Sequence, residues 1–423
     1  MAKSNIIVGL DIGTSKVRAV VASIKGKGKD EAKPRIIGVG ESISSGMRKG
    51  AVVGIDEMTK SIKRALDQAE RGSGASIEKV FVSMGGNHIQ AKMSKGIVAV
   101  SRADEEVSEE DVIRVINNAS AVSLGSNREI IHVIPREFSI DGQEGIRDPR
   151  GMTGIRLEVD ALIIEGLSAY IKNLRKCLNS AGVEIEELIL NVLAASNAVL
   201  TKKQKELGVL VLDIGGGTVS MAVYEEMKLL HVGILPIGAS HITNDIAIGL
   251  RTSVETAEKV KLNYGTCLPE EINKKDAIDL SKIDEKEDSV ASRKEVARII
   301  EARTDEIFSL VNKELRRIGR ERLLPSGAIL VGGGSKIPGI IDLAKDKLKL
   351  SVQLGYPQGI DGLVEKIDDP AFATAIGLIF WAMEINEGGD GGVMLPPARK
   401  SEANGFIDKI LRKIKRFFKT FIP

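Results

Sequence analysis

Leu212-Asp213-Ile214-Gly215-Gly216-Gly217-Thr218 is the stretch that decides the fold. The run Gly208-Val209-Leu210-Val211-Leu212 delivers an Asp and then three glycines. After them Val219 to Tyr224 alternates apolar and polar, so the chain re-enters a strand. In a dinucleotide fold or a P-loop the glycines open a helix whose N-terminus holds phosphate. Here they predict the tip of a β-hairpin, where the lack of a Cβ lets backbone N–H groups crowd an anion.

The same pattern stands near the start of the chain. Ile6-Ile7-Val8-Gly9-Leu10-Asp11-Ile12-Gly13-Thr14-Ser15-Lys16 is followed by Val17-Arg18-Ala19-Val20-Val21: a strand, an Asp, a Gly turn and a strand. A single Asp-x-Gly is weak, because most such tripeptides are plain turns. Two in the same strand–turn–strand context predict duplicated lobes, each presenting a phosphate loop to a shared cleft.

A chain of 423 residues has room for two or more domains. Its hydrophobic share of 43% and charged share of 28% are those of a soluble globular protein. Asp11 interrupts the first apolar run, so no signal peptide is expected, and no run is long enough to span a bilayer. Cys177 and Cys267 lie far apart without CxxC spacing, which predicts reduced thiols and no structural zinc. Four histidines without HExxH argue against a dedicated metalloenzyme, whereas phosphate-bound magnesium needs only carboxylates and waters.

Along the chain, Glu57 to Arg71 puts Met58, Ile62, Ala65, Leu66 and Ala69 on one helical face, and Val80 to Ser83 returns as a strand. This β-β-β-α-β order begins a ribonuclease-H-like lobe over residues 1–83. Residues 84–163 change composition and read as an inserted α+β subdomain, with a helix from Ser108 to Ala121 opened by Ser108 and three acidic residues. His132 within it reads as structural. Residues 164–206 resume the first lobe, and Asn191 to Ala198 opens a small-residue helix suited to a close crossing. The second lobe takes 207–251 and 327–387, with a small subdomain at 252–326. There Glu270 to Glu287 is charge-rich and reads as a mobile surface, and Arg293 to Ile318 is a long helix. Ala328 to Val331 runs into a third glycine loop, Gly332-Gly333-Gly334-Ser335, which opens a helix. Asp369 to Gly377 begins a second small-residue helix.

Gly388 to Gly405 is a linker with five glycines and two prolines. Beyond it Phe406, Ile407, Ile410, Leu411, Ile414, Phe417, Phe418 and Phe421 recur at amphipathic spacing. Lys409, Arg412, Lys413 and Arg416 are among the basic residues of the other face. Residues 406–423 carry +5 of the chain's net +2, leaving −3 on the rest, and hold four of its 14 aromatic residues. A helix packed on the body would not need an almost wholly basic outer face. A nucleic-acid tail would not need a continuous apolar one, so no nucleic-acid partner is expected. An in-plane membrane helix needs both, with anionic lipid contributing about 1 kcal/mol per basic residue.

Two Asp-x-Gly hairpins, a Gly-Gly-Gly-Ser loop and two Ala-rich helices resemble the actin, sugar-kinase and heat-shock-chaperone ATPase superfamily. The inserted segment (His132 to Pro135, then Pro149 to Glu158) and the basic tail resemble, within it, the FtsA family of bacterial cell-division proteins. The resemblance covers nearly the whole chain and implies an actin-like α/β fold of two duplicated lobes. It also implies ATP with Mg²⁺ in the cleft. Gly13, Thr14, Ser15 and Lys16 would clamp phosphates from one side, and Gly215, Gly216, Gly217 and Thr218 from the other. Asp11 and Asp213 suit magnesium, mostly through its waters. Gly332, Gly333, Gly334 and Ser335 would pass beneath adenosine, and Glu258 and Lys261 match the ribose and adenine helix. For the last two, a solvated ion pair on a helix face is the plain alternative.

Where hydrolytic relatives place a water-orienting Glu, this chain has Asn191, which cannot act as a carboxylate base. No catalytic residue is assigned, and slow or negligible hydrolysis is expected. The implied role is a self-polymerising adaptor at the division site, on the cytoplasmic face of the cell membrane. It would tether the C-terminal tail of the tubulin-like ring protein FtsZ and recruit other divisome proteins. That tail would meet the small subdomain, where Arg298 and Arg303 could face its acidic residues. A small-molecule kinase and an actin-like component of a type IV pilus machine are the competing readings of the fold.

Overall fold

The computed structural model of the protein describes residues 5–24, 33–121 and 127–387. The linker and the basic amphipathic segment read from the sequence lie outside the described residues. Both glycine-tipped hairpins form: Asn5–Ile12 pairs antiparallel with Lys16–Ile24, and Val209–Ile214 with Val219–Glu225. Each lies within a sheet whose five main strands follow the same order, and in the first sheet Asp361–Gly362 adds a short edge strand beside Arg35–Ile43. In the first lobe Arg35–Ile43 extends the hairpin antiparallel on one side, and Lys79–Met84 and Glu184–Leu190 extend it in parallel on the other. In the second lobe Lys228–Leu235 takes the antiparallel side, and Ala328–Val331 and Val352–Leu354 the parallel side. The strands Val209–Ile214 and Ala328–Val331 are buried throughout and apolar save Asp213, as strands covered on both faces must be.

The lobes are joined through two helices, Asn191–Val199 and Ala373–Glu387, made largely of small and apolar residues. They cross with almost no space between backbones: a Cβ built on Gly377 would lie 1.7 Å from the carbonyl oxygen of Ala194. The small residues of the sequence are therefore the condition for this crossing. Around it runs a continuous core that includes Ile7, Leu10, Leu193, Ala195, Ile376 and Ile379. A second core fills the second lobe, from Leu210 and Leu212 to Phe308 and Val311 of the 25-residue helix Arg293–Arg317.

The inserted subdomain has a third core of its own. Its sheet runs Ile89–Ala99, Arg156–Leu167, Arg128–Ile140, Gln143–Ile146, covered by the helix Glu109–Ala121. The central strand Arg156–Leu167 is buried along almost its whole length, whereas Ile89–Ala99 alternates buried and exposed residues, with Lys92 and Lys95 on its open face. Asp111 of the covering helix is fully buried. Burial works to raise its pKa, but hydrogen bonds from Ser108, Ser101 and Arg114 hold its carboxyl well below the usual range. His132 is structural: its Nε2 accepts the backbone N–H of Leu190 at 3.0 Å, and its ring lies edge-on to Trp381.

The charge-rich stretch 270–287 is ordered where the sequence suggested a mobile surface. A short ladder pairs Ala277–Asp279 with Val290–Ser292, and Ile278 and Leu280 are buried beneath it. Two apolar residues among many charges suffice to fasten it to the second core.

Replacing Gly377 with Ala puts a methyl group into the helix crossing. Overpacking of this kind costs about 1–3 kcal/mol or more. Chemical denaturation should give a lower midpoint for G377A, while Gly319→Ala, whose Cβ meets nothing within 4 Å, should cost only its left-handed backbone strain.

Candidate functional site

The two hairpin tips have the same internal bond: Gly13 N–H donates to Lys16 O, and Gly215 N–H to Thr218 O, each at 3.0 Å. They face one another. A Cβ on Gly216 would lie 2.1 Å from Ser15 Oγ, and one on Gly217 would lie 2.8 Å from Thr14 Oγ1. Side chains at these glycines would force the facing Ser15 and Thr14 side chains to move. The second tip is braced from behind by the helix Ala239–Leu250, whose first N–H groups, Ala239 and Ser240, donate to the carbonyls of Gly215 and Gly216 at 2.9 and 2.8 Å. With those carbonyls turned to the helix, the N–H groups of Gly216 and Gly217 have no acceptor among the described residues. They are suited to receive an anion.

At the base of the tips lie two carboxylates, Asp213 buried and Asp11 largely so. Asp11 accepts the Ser83 hydroxyl at 2.7 Å, with the Arg18 guanidinium 4.0 Å away. Burial raises its pKa, opposed by Arg18 and Ser83. Asp213 accepts the Asn191 amide at 2.7 Å, and burial, with the charge of Asp11, pushes its carboxyl up to about 7. Asn191 Nδ2 also meets Ser220 Oγ at 3.2 Å, while its Oδ1 is buried with no partner. Two carboxylates that resist ionisation together, beside a buried acceptor still lacking a donor, fit a hydrated divalent cation. Its charge would relieve the repulsion and its waters would supply the missing donor. Among the described residues no three His, Cys, Asp or Glu side chains converge, so such an ion would be held chiefly through water.

The third glycine loop packs directly on the second. At Gly332, φ is +84° and a Cβ would lie 2.4 Å from Asp213 Oδ1; at Gly334 one would lie 2.6 Å from the Ile214 side chain. Gly333 is open on its Cβ side. Ser335 is buried, and its hydroxyl donates to Gly332 O at 2.7 Å, so it shapes the loop from inside. Glu258 and Lys261 are more than a solvated pair. Lys261 is 8% exposed, and its ammonium meets Glu258 at 2.6 Å and Thr243 at 2.8 Å, tying the helix Val254–Tyr264 to Ala239–Leu250. Thr218 is buried beside its loop. Lys16 lies outward, paired with Glu41, which also takes Arg18 at 2.9 Å.

Arg18 and Ser83 are the residues that sequence reading missed. Arg18 lies beside Asp11 and over the Phe372 ring at 5.2 Å, and Ser83 bonds both Asp11 and the Ile12 N–H. The available signal was pairing: a polar residue ending a parallel strand must face the end of its neighbour. On the small subdomain, Arg303 is engaged bidentately by Asp245, and Glu306 takes it as well. Arg298 remains exposed.

Comparison with known proteins gives this geometry a family. The family model described as cell division protein FtsA matches residues 210–377, and the SHS2 domain inserted in FTSA matches residues 86–165. The chain is 38% identical over 379 residues to the cell division protein FtsA of Pseudomonas aeruginosa, covering 90% of this chain and 89% of that one. It is 40% identical to that of Bacillus subtilis, covering 90% and 84%, and 35% identical to that of Escherichia coli K12, covering 92% and 93%. Among solved structures, the PilM-PilN type IV pilus biogenesis complex superposes with a TM-score of 0.64 at 19% identity, over 89% of this chain and 98% of that one. MreB5 of Spiroplasma citri bound to ADP superposes with a TM-score of 0.53 at 14% identity, over 92% and 99%. The fold is thus actin-like with an SHS2 insertion, and the chain belongs to the FtsA family of cell-division proteins.

Proposed function

We propose that this actin-like cell-division protein binds ATP with magnesium between its lobes, polymerises beneath the cytoplasmic membrane, and tethers FtsZ there. The observation that carries the nucleotide reading is the pair of opposed turns, Gly13 to Lys16 and Gly215 to Thr218, above Asp11 and Asp213. Backbone N–H groups of Gly216 and Gly217 would hold phosphate oxygens. Asp11 and Asp213 would hold the waters of a magnesium ion, which neutralises phosphate charge when bound. Asn191 keeps Asp213 in place through its amide. Glu258 and Lys261, with Thr243, would order the nucleoside side, and Gly332 to Gly334 would form the floor. The fold is shared with pilus proteins, but membership in the FtsA family favours the division role.

The cleft offers Asn191 where a water-orienting carboxylate would be needed, so the nucleotide serves to hold the lobes together for assembly. Phosphate release in the presence of Mg-ATP should stay near the protein-free blank. Sustained turnover at the rate of chaperone ATPases would overturn this.

The carboxylates set a pH dependence. The folded pKa of Asp213, about 7, lies above its ordinary 3.8, so the folded chain binds the proton more tightly than the unfolded one. Without ligand, this group's contribution to stability is complete below about pH 4, declines as pH rises toward 7, and is flat beyond. A cation that replaces the proton should stabilise more at alkaline than at acid pH. Thermal unfolding should therefore show Mg-ATP raising Tm more at about pH 8 than at about pH 6, with Asp213→Asn flattening the ligand-free profile. Equal shifts at both pH values would argue against this cation site.

Membrane attachment rests on the composition of residues 406–423. The full chain should co-sediment with vesicles containing anionic lipid and carry FtsZ with it, and deletion of Phe406 to Pro423 should abolish both. Binding retained by the truncated chain would remove the tail from this role.

A further inference from the structure

The small hairpin that joins the first sheet to the helix Ile55–Ser73 has no part in the site described so far. Met47 pairs with Val52 and Arg48 with Ala51, leaving Lys49 and Gly50 as a two-residue turn. Both have positive φ, +50° and +74°. Such a turn is satisfied most cheaply by Asn-Gly or Gly-Gly, because a side chain with a Cβ is strained in the left-handed region. Other non-glycine residues of the chain adopt positive φ, but the location of Lys49 sets it apart.

This turn packs against both phosphate loops where they meet. The Gly50 N–H donates to Thr14 Oγ1 at 3.2 Å, which fixes it to the first loop. Lys49 lies against the second: a Cβ on Gly217 would lie 2.9 Å from Lys49 Cα. From below, Gly50 rests on the end of the strand Lys79–Met84, where a Cβ would lie 2.5 Å from Gly86 Cα. Three elements thus hold the backbone of Lys49 at the line where the two tips meet. The side chain is half-buried, and among the described residues no carboxylate lies within the ion-pair distance of its ammonium. By contrast Lys16, on the first hairpin itself, is paired with Glu41.

We propose that Lys49 is a phosphate contact from a third side: a cation carried by the Met47–Val52 turn to the end of the nucleotide that lies between the two tips. The inference rests on the cleft being a nucleotide site and adds to it a residue outside both glycine loops. A lysine stem of five bonds, each about 1.5 Å, reaches about 6 Å from Cα, enough to span from the turn into the space between the loops. An unpaired lysine whose backbone is held at the junction of two anion-binding tips favours the ligand with the extra terminal phosphate. ATP should therefore depend on Lys49 more than ADP does.

The test is titration of the full chain with Mg-ATP and Mg-ADP by calorimetry, for the native protein and for Lys49→Gly, Lys49→Gln and Lys49→Arg. A charge-assisted hydrogen bond lost from the terminal phosphate should weaken ATP binding about tenfold or more in the Gly and Gln variants, and ADP binding by less. The Arg variant should recover most of the ATP affinity. In the absence of nucleotide, Lys49→Gly should unfold at the same or a higher temperature, because it relieves the left-handed backbone; this separates lost ligand contact from lost folding. If native protein binds both nucleotides and the variants bind them equally well, Lys49 has no phosphate role while the cleft reading stands. If native protein binds neither, both readings fall.

Discussion

Two carboxylates buried at the base of one cleft set the terms for the rest of this molecule. Asp11 and Asp213 occupy the same position on duplicated hairpins, so the repeat that makes the lobes alike also brings like charges together. Burial raises both pKa values, and the charge of Asp11 raises that of Asp213 further; the neighbours available to oppose this are few, Arg18 and Ser83 on one side and Asn191 on the other. An arrangement of this sort is disfavoured in a chain optimised for stability alone. It would become intelligible if a cation and an anionic ligand entered together, as proposed above, the cation meeting the carboxylates and the anion the N–H groups of the glycine tips. The apolar core has to supply the stability that the cleft does not. It does so through the crossing of Asn191–Val199 with Ala373–Glu387, whose close approach depends on Gly377 and Ala194.

Much of this was legible in the sequence, and the reason is that glycines and small residues leave few conformational choices. Asp213 followed by three glycines, with apolar strands on either side, permits little but a hairpin tip. The alanines of the two crossing helices leave no side chains to hold neighbours apart. The inserted subdomain announced itself through a change of composition, and its helix through Ser108 and three acidic residues. Local pattern determines such features.

The features that escaped reading depend on partners distant in the chain. Ser83 and Asp11 are 72 residues apart, and only the parallel pairing of their strands makes the serine a ligand of the carboxylate. Arg303 looked free for an acidic partner because nothing nearby in sequence reveals Asp245, 58 residues before it. The ladder at 277–292 was hidden for another reason. Charge density reports the solvated face of a segment, whereas two buried residues, Ile278 and Leu280, decide whether it is held. The turn at Lys49 resembles any short polar connection until the positions of Gly217 and Gly86 are known.

The inserted subdomain is fastened to the body beside the cleft. Its first strand leaves the end of Lys79–Met84, next to the Gly86 on which the Lys49 turn rests, and its last strand returns at Leu167. His132 pins it to the edge of the first sheet through the Leu190 N–H, immediately before Asn191. On the far side Glu137 reaches Lys228 of the second lobe at 3.2 Å. The first attachments are buried, with little solvent to compete, and are the ones that fix position. The pair with Lys228 is partly exposed and worth no more than about 1 kcal/mol, so it can break without loss of the fold. The strand Lys228–Leu235 of the second lobe also packs against Ile89–Ala99 and Arg128–Ile140, so the subdomain rests on both lobes. The two residues nearest its buried attachments, Gly86 and Asn191, are also those that meet the Lys49 turn and Asp213. The tips of the cleft and the buried attachments of the insertion thus share the same few residues.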